Sequence, residues 1–198
     1  MTCPICLTFS EMIAALRQLR SLQRSLSRDA LLTMLHAQVV GKVDYCCSVL
    51  AGISGTLLQR PQSVMNAPAG LVFSARRSEH TAPLLRELQH WLQVPDRIQF
   101  RLCALVYCCL NGIAPSYLAE TLRRSSDIDA RRRLRSAATS TLIMPPTRRV
   151  TLGDRAFPVA AARAWNGLPS CIRAASSLEL FCRELKTALF SLSFDIQD

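Results

Sequence analysis

The sequence predicts a mainly α protein, a small helical bundle with a short β-hairpin before the C-terminal helices. Three observations carry that expectation. Apolar residues return at steps of three and four through several separate segments, the period of one helix face. Gly, Asn and Pro clusters stand between those segments, where the chain must turn. The helical period gives way to two short strand-like runs only around Pro145-Pro146. Hydrophobic residues are 49% and charged residues 19% of the 198-residue chain, enough apolar surface for a core and too little charge for wholesale disorder. The expected organisation is a helical region over 1–122 that breaks near 54–74, an Arg-rich linker over 123–138, and the hairpin with C-terminal helices over 139–192.

From Glu11 to Leu26 the pattern is helical. Met12, Leu16, Leu19, Leu22 and Leu26 fall on one face, and Arg17, Arg20, Arg24 and Arg28 form a basic stripe beside it. Ser27 is placed to cap the next helix, with Asp29 in its first turn. That helix carries Leu31, Leu32, Leu35, Val39, Val43, Cys46, Cys47 and Leu50 and ends over Gly52 to Gly55. Leu57, Leu58, Val64, Met65, Leu71 and Val72 then keep a seven-residue spacing whose missing members are Pro61 and Pro68. Each proline removes a backbone donor and crowds the preceding turn, at about 3 kcal/mol or more. Gly70 adds roughly 1 kcal/mol. A break into short turns is therefore expected here.

Thr81-Ala-Pro starts a short helix through Leu88, and Pro95-Asp96 opens the next. Ile98, Leu102, Leu105, Val106, Cys109 and Leu110 form the apolar face of that second helix. Asn111-Gly112 stops it, and Pro115 to Leu122 makes a further short turn of helix. Thr139 to Met144 and Arg149 to Leu152 read as the two strands. Ser176-x-x-Glu179 is a capping box for a C-terminal helix with Leu178, Phe181, Cys182, Leu185 and Leu189 inward. No internal repeat is found.

The net charge of +10 favours a polyanionic partner. Of the 24 basic side chains only Lys42 and Lys186 are lysines, and arginine forks grip phosphate bidentately. A GC-rich coding sequence would produce the same bias. Cys46-Cys47 and Cys108-Cys109 sit inside apolar runs, as buried thiols of a reducing compartment do. No secretory signal opens the chain, and the longest uninterrupted apolar run, Leu102 to Leu110, is far below the ~20 residues a bilayer needs. These features predict an intracellular protein of nucleus or cytoplasm, neither secreted nor membrane-bound.

Cys3-Pro-Ile-Cys6 opens like a RING-type zinc module, but no second Cys/His pair follows at ligand spacing. A redox Cys-x-x-Cys would need a preceding strand, which is missing. His36 lies on an apolar helix and reads as a core or boundary residue; His80 and His90 read as surface residues. Asp127 and Asp129 sit among arginines, where a salt-linked loop is simpler than a two-metal site. Trp91, Phe100 and Tyr107 read as core rather than as base-stacking rings. The sequence thus predicts no catalytic residue, no metal, no cofactor and no small-molecule substrate. What remains is basic: Arg17, Arg20, Arg24, Arg28, Arg123, Arg124, Arg131, Arg132, Arg133, Arg135, Arg148 and Arg149 are the candidate phosphate contacts to RNA or DNA, indifferent to base sequence.

"LRSAATSTLIMPPTRRVTLGDRAFPVAAARAWNGLPSCIRAASSLELFCRELKTALF" resembles the C-terminal end of reverse transcriptase polyproteins of LINE-type, non-LTR retrotransposons. That family ends with a Leu-Arg-Ser, a Pro-x-Thr-Arg, a Gly-Asp-Arg-(Ala)-Phe, a Trp-Asn-x-Leu-Pro and a Phe-x-x-x-Leu-Lys-x-x-Leu-Phe helix. "LRQLRSLQRSLSRDALLTMLHAQVVGKVDYCCSVLAGI" and "RIQFRLCALVYCCLNGIAPSYLAETL" are similar to upstream segments of the family in the same order, so the likeness spans roughly residues 12 to 192. It implies the thumb and post-thumb region. The palm motif and endonuclease of such polyproteins have no counterpart here, so no catalytic residue carries over. Pro61, Pro68, Gly70 and an apparent insertion at Gln89 depart from the family pattern, as in a decaying genomic copy. The resemblance implies a non-catalytic fragment of an RNA-directed DNA polymerase that at most holds nucleic acid. It also implies that Asn166-Gly167 and Pro169 end one helix so that Phe157 and Trp165 pack on the last. The alternatives are a helical module that binds another protein chain, or a product with no selected function.

Overall fold

The computed structural model describes residues 4–53, 55–73, 91–127, 141–148 and 153–195. It is mainly helical. Contacts divide the chain into one compact unit of residues 1–98 with 190–198 and a second of residues 99–189. The division falls inside helices rather than in the expected linker, of which residues 128–138 lie outside the described residues.

In the first unit, helix α1 (Pro4–Leu22) buries Met12, Leu16 and Leu19 and is followed by a tight turn of 3-10 helix, Gln23–Ser25. The expected helix therefore ends at Leu22, and Leu26 is extended, with φ −104° and ψ 142°. Ser27 caps α2 (Arg28–Leu35): its Oγ accepts the Ala30 N–H at 3.3 Å, and Asp29 stands in the first turn, as expected. A wider turn at His36–Val40, in which the Gly41 N–H reaches back to the His36 carbonyl, joins α2 to α3 (Gly41–Leu50). Such a bulge lets one helix re-aim its apolar face without stopping; Val39, Val40 and Val43 are all fully buried across it. Gly52, at φ +70°, ends α3, a backbone geometry that glycine adopts without strain.

Of the segment expected to break near 54–74, the described residues 55–73 show no break. Helix α4 (Gly55–Val72) runs unbroken through both prolines, with Pro61, Met65, Pro68, Ala69 and Leu71 buried and packed against α1, α2 and α3. Packing of the whole face outweighs a local penalty that sequence reasoning treated as decisive. Gln62 of α4 accepts the Val94 N–H at 2.8 Å, a donor left unpaired at the start of α5 (Val94–Leu110). Arg97 of α5 is buried; it donates to Asp44 at 2.8 Å and to the Leu92 carbonyl at 2.9 Å. The expected helix at 81–88 lies outside the described residues.

In the second unit, α5 ends where expected. Gly112 has φ +71°, and the Ile113 and Ala114 N–H groups return to the Cys108 carbonyl. A short helix α6 (Ser116–Ala119) follows. Helix α7 (Phe157–Asn166) buries Val159 to Ala162 and Trp165, and a turn of helix α8 (Ser170–Arg173) leads to α9 (Leu178–Asp195). Trp165 and Tyr107 both lie against Phe181, with ring centroids 5.6 and 4.7 Å away. Trp165 thus packs on the last helix as the resemblance implies, while Phe157 is half-buried at the start of α7. The cap of α9 is Ser177, whose Oγ accepts the Leu180 N–H at 3.2 Å, one residue beyond the expected Ser176.

No β-strand forms among the described residues, so the expected hairpin is not found. Instead the Ser125 N–H donates to the Thr141 carbonyl and the Ile143 N–H to the Arg123 carbonyl, an isolated antiparallel bridge. Backbone groups of an extended chain alternate between its two edges. The other edge, at Leu142, is taken by Asn166, whose amide accepts from Leu142 N at 2.9 Å and donates to its carbonyl at 2.8 Å. Both edges of 141–143 are occupied, which leaves no edge there for a hairpin partner. Residues 149–152 lie outside the described residues.

Candidate nucleic-acid interface

The arginine stripe survives in part. Arg17 and Arg20 are exposed on α1, and Arg24 is exposed in the following 3-10 turn. Among the described residues none of the three forms an ion pair with a carboxylate. At 1.5 Å rise per residue the row is roughly 10 Å long, comparable with about three successive phosphates of one strand. Glu11, the acid of α1, is exposed and paired with Lys42 at 2.8 Å. The end of the row is pinned to α4, because Gln23 Nε2 donates to the Leu71 carbonyl at 2.6 Å.

Arg28 stands apart from that row. It is exposed, but it begins α2 beyond the extended Leu26, and its guanidinium carbon lies 5.1 Å from the centre of the Phe73 ring. A cation over an aromatic face has an intramolecular use for its charge.

The linker arginines divide similarly. Arg123 and Arg148 are exposed. Arg124 is half-buried, and its guanidinium donates to the Leu110 carbonyl, satisfying one of the orphan acceptors at the end of α5. Its own N–H donates to Asp127 at 3.3 Å. Arg131, Arg132, Arg133, Arg135 and Arg149 lie outside the described residues. Among the described residues five further arginines are exposed and were not anticipated: Arg60 on α4, Arg101 on α5, Arg155, Arg163 on α7 and Arg183 on α9. Arg60 precedes Pro61 in the segment expected to break, and Arg101 lies one turn beyond the buried Arg97 in an otherwise apolar-looking helix.

The Gly-Asp-Arg and Pro-x-Thr-Arg elements build structure. Thr147 Oγ1 donates to Asp154 at 3.2 Å, and Arg163 reaches the other Asp154 oxygen at 3.1 Å. A Cβ on Gly153 would meet Thr147 Cβ at 2.7 Å, so that position requires glycine.

His36 is exposed rather than a core or boundary residue, its ring edge-on to Trp91 with centroids 6.4 Å apart. Trp91 and Tyr107 are buried, and the Tyr107 hydroxyl donates to the Ala175 carbonyl at 3.0 Å. Burial raises the Asp96 carboxyl above its usual range, against the opposing hydrogen bond from Ser193. Among the described residues no group of three His, Cys, Asp or Glu side chains is arranged to hold a metal, and no helix is long and apolar enough to cross a membrane. Cys3, His80, His90 and Asp129 lie outside the described residues. No protein-family model, curated protein or solved structure matches the chain.

Proposed function

We propose that the chain is a non-catalytic module that holds RNA or DNA by its phosphates, as the thumb and post-thumb region of a LINE-type reverse transcriptase would. The observation that carries this reading is the exposed row Arg17, Arg20 and Arg24 on one side of α1 and its following turn. A charge of +10 supplies the long-range attraction, and phosphate contacts alone give binding without base preference. The motif-for-motif likeness at the C-terminal end supports the retroelement origin, and in this reading the Thr147, Gly153, Asp154, Arg163 and Asn166 contacts are the reason those motifs exist.

The test is a salt titration of binding to RNA and to duplex DNA. Replacing Arg17, Arg20 and Arg24 with Gln flattens the log K against log salt line by about two to three units, at roughly 0.7–0.9 per lost phosphate contact. The Arg131, Arg132 and Arg133 to Ala variant, assayed in parallel, measures the share of the 123–138 segment. A slope unchanged in both variants removes the arginines from the interface. Absence of binding at low salt overturns the reading.

Exposed Ile113, Tyr117 and Met144 in the second unit favour a second reading, a module that docks on another protein chain. That reading predicts binding to nucleic acid no stronger than any basic surface gives.

A further inference from the structure

Helix α1 is a ridge on the surface of the first unit. Its buried residues Met12, Leu16 and Leu19 fall within roughly 60° of the helix circumference, at about 100° per residue. The exposed residues Ile13, Ala14, Arg17, Gln18, Arg20 and Ser21 spread over roughly 160° of it. Opposite the buried stripe, the crest is Ala14, Gln18 and Ser21, all uncharged. The Ser21 hydroxyl is already donated to the Gln18 carbonyl at 2.7 Å. Arg17 and Arg20, with Arg24 of the following turn, line one flank. On the other flank Glu11 is paired with Lys42 at 2.8 Å, and the pair adds no net charge. The ridge therefore has a shape as well as a charge: a neutral, low crest beside a single cationic wall.

That shape discriminates between kinds of duplex. An α-helix with its side chains is about 10–12 Å across, and the major groove of B-form DNA, about 12 Å wide, admits one. The major groove of an A-form RNA duplex is deep and too narrow for side chains to read. We propose, resting on the phosphate-holding reading above, that α1 seats in the major groove of duplex DNA with its crest toward the bases and Arg17, Arg20 and Arg24 on the phosphates of one bordering strand. The crest carries no arginine fork, so base identity matters little; the groove supplies the fit and the flank supplies the attraction. Duplex RNA offers the same charge without a groove that receives the ridge.

The experiment measures binding of the full chain to one sequence as duplex DNA, duplex RNA and single-stranded DNA at matched salt, with dimethyl sulfate footprinting of the DNA duplex at saturation. That reagent methylates guanine N7, which faces the major groove, and adenine N3, which faces the minor groove. The expected result is duplex DNA bound at least about tenfold more tightly than duplex RNA, with guanine N7 protected and adenine N3 open. Both readouts use the unmodified chain, so no variant has to fold for the test to stand. Equal or tighter binding of duplex RNA or of the single strand overturns the groove proposal, as does protection of adenine N3 with guanine N7 open. If binding in those cases is still weakened by the Arg17, Arg20 and Arg24 to Gln replacement, the phosphate-holding reading survives alone. No binding to any of the three nucleic acids at low salt overturns both.

Discussion

Helices α4 and α9 are each 18 residues long and amphipathic, yet they are held by opposite means. Helix α9 agrees with itself locally. Its cap is a serine, Glu179 stands in its first turn, and Phe181, Leu185 and Leu189 are buried at helical spacing. Helix α4 opposes itself locally, because Pro61 and Pro68 deny donors to the Leu57 and Val64 carbonyls and stand on its buried face. It persists because the same face packs on α1, α2 and α3 and supplies Gln62 to the start of α5. In α9 local signals and tertiary burial agree, whereas in α4 tertiary burial must compensate for local signals that oppose the helix.

The sharpest way to break α9 is at its anchor. Phe181 is fully buried between Tyr107 and Trp165, and Phe181→Ala is expected to cost about 3–5 kcal/mol through lost burial and the cavity left behind. At this chain length that lowers the melting temperature by roughly 6–20 °C. A loss under about 1 kcal/mol, measured by denaturant unfolding, would mean the aromatic cluster collapses without cost and that α9 depends on its local signals alone.

Helix α4 invites a change in the other direction. Pro68→Ala returns an N–H to the Val64 carbonyl and removes the ring's clash with the preceding turn, a relief of about 3 kcal/mol in helical context. Against this stands the loss of a fully buried ring, about two methylene groups at ~0.8 kcal/mol each. The net expectation is a gain of about 1 kcal/mol, with a higher melting temperature and more helical circular dichroism at 222 nm. Pro61 is also buried, so a leucine there must find extra room and is the poorer choice. A lower melting temperature for Pro68→Ala would show that the surrounding helices have adapted to the ring.

These two helices also show what the sequence makes legible. Periodicity alone located the buried faces of α1, α5 and α9 and the exposed Arg17, Arg20 and Arg24, whereas α7 was expected only from the resemblance. Sequence reasoning misjudged α4 because a proline penalty is written locally, whereas the packing that outweighs it comes from three other helices. The segment at 141–143 was misread for a related reason. Its partners are 123–125 and the side chain of Asn166, and an amide that imitates a backbone edge looks in sequence like an ordinary turn residue. Arg28 and Arg124 fit the basic pattern, but their contacts with Phe73 and the Leu110 carbonyl lie 45 and 14 residues away along the chain.

The smallest expected effect concerns the first turn of α9, where adjacent serines compete for one role. Read as a sequence, Ser176-x-x-Glu179 has the form of a capping box, in which serine and glutamate each satisfy an orphan N–H. In the structure Ser177 holds the cap: its Oγ accepts from the Leu180 N–H at 3.2 Å, and its carbonyl accepts the Phe181 N–H at 2.9 Å, the first intrahelical bond. Both serines are exposed, so neither substitution disturbs packing. Ser177→Ala is then expected to cost about 1 kcal/mol, a fall of about 2–4 °C in melting temperature at this size. Ser176→Ala is expected to stay within about 0.5 kcal/mol of the parent. The opposite ranking in thermal melts would place the helix start one residue earlier and restore Glu179 as the reciprocal partner. Equal and negligible losses would mean that the Phe181 cluster fixes the start of α9 whatever the cap, erasing the contrast with α4.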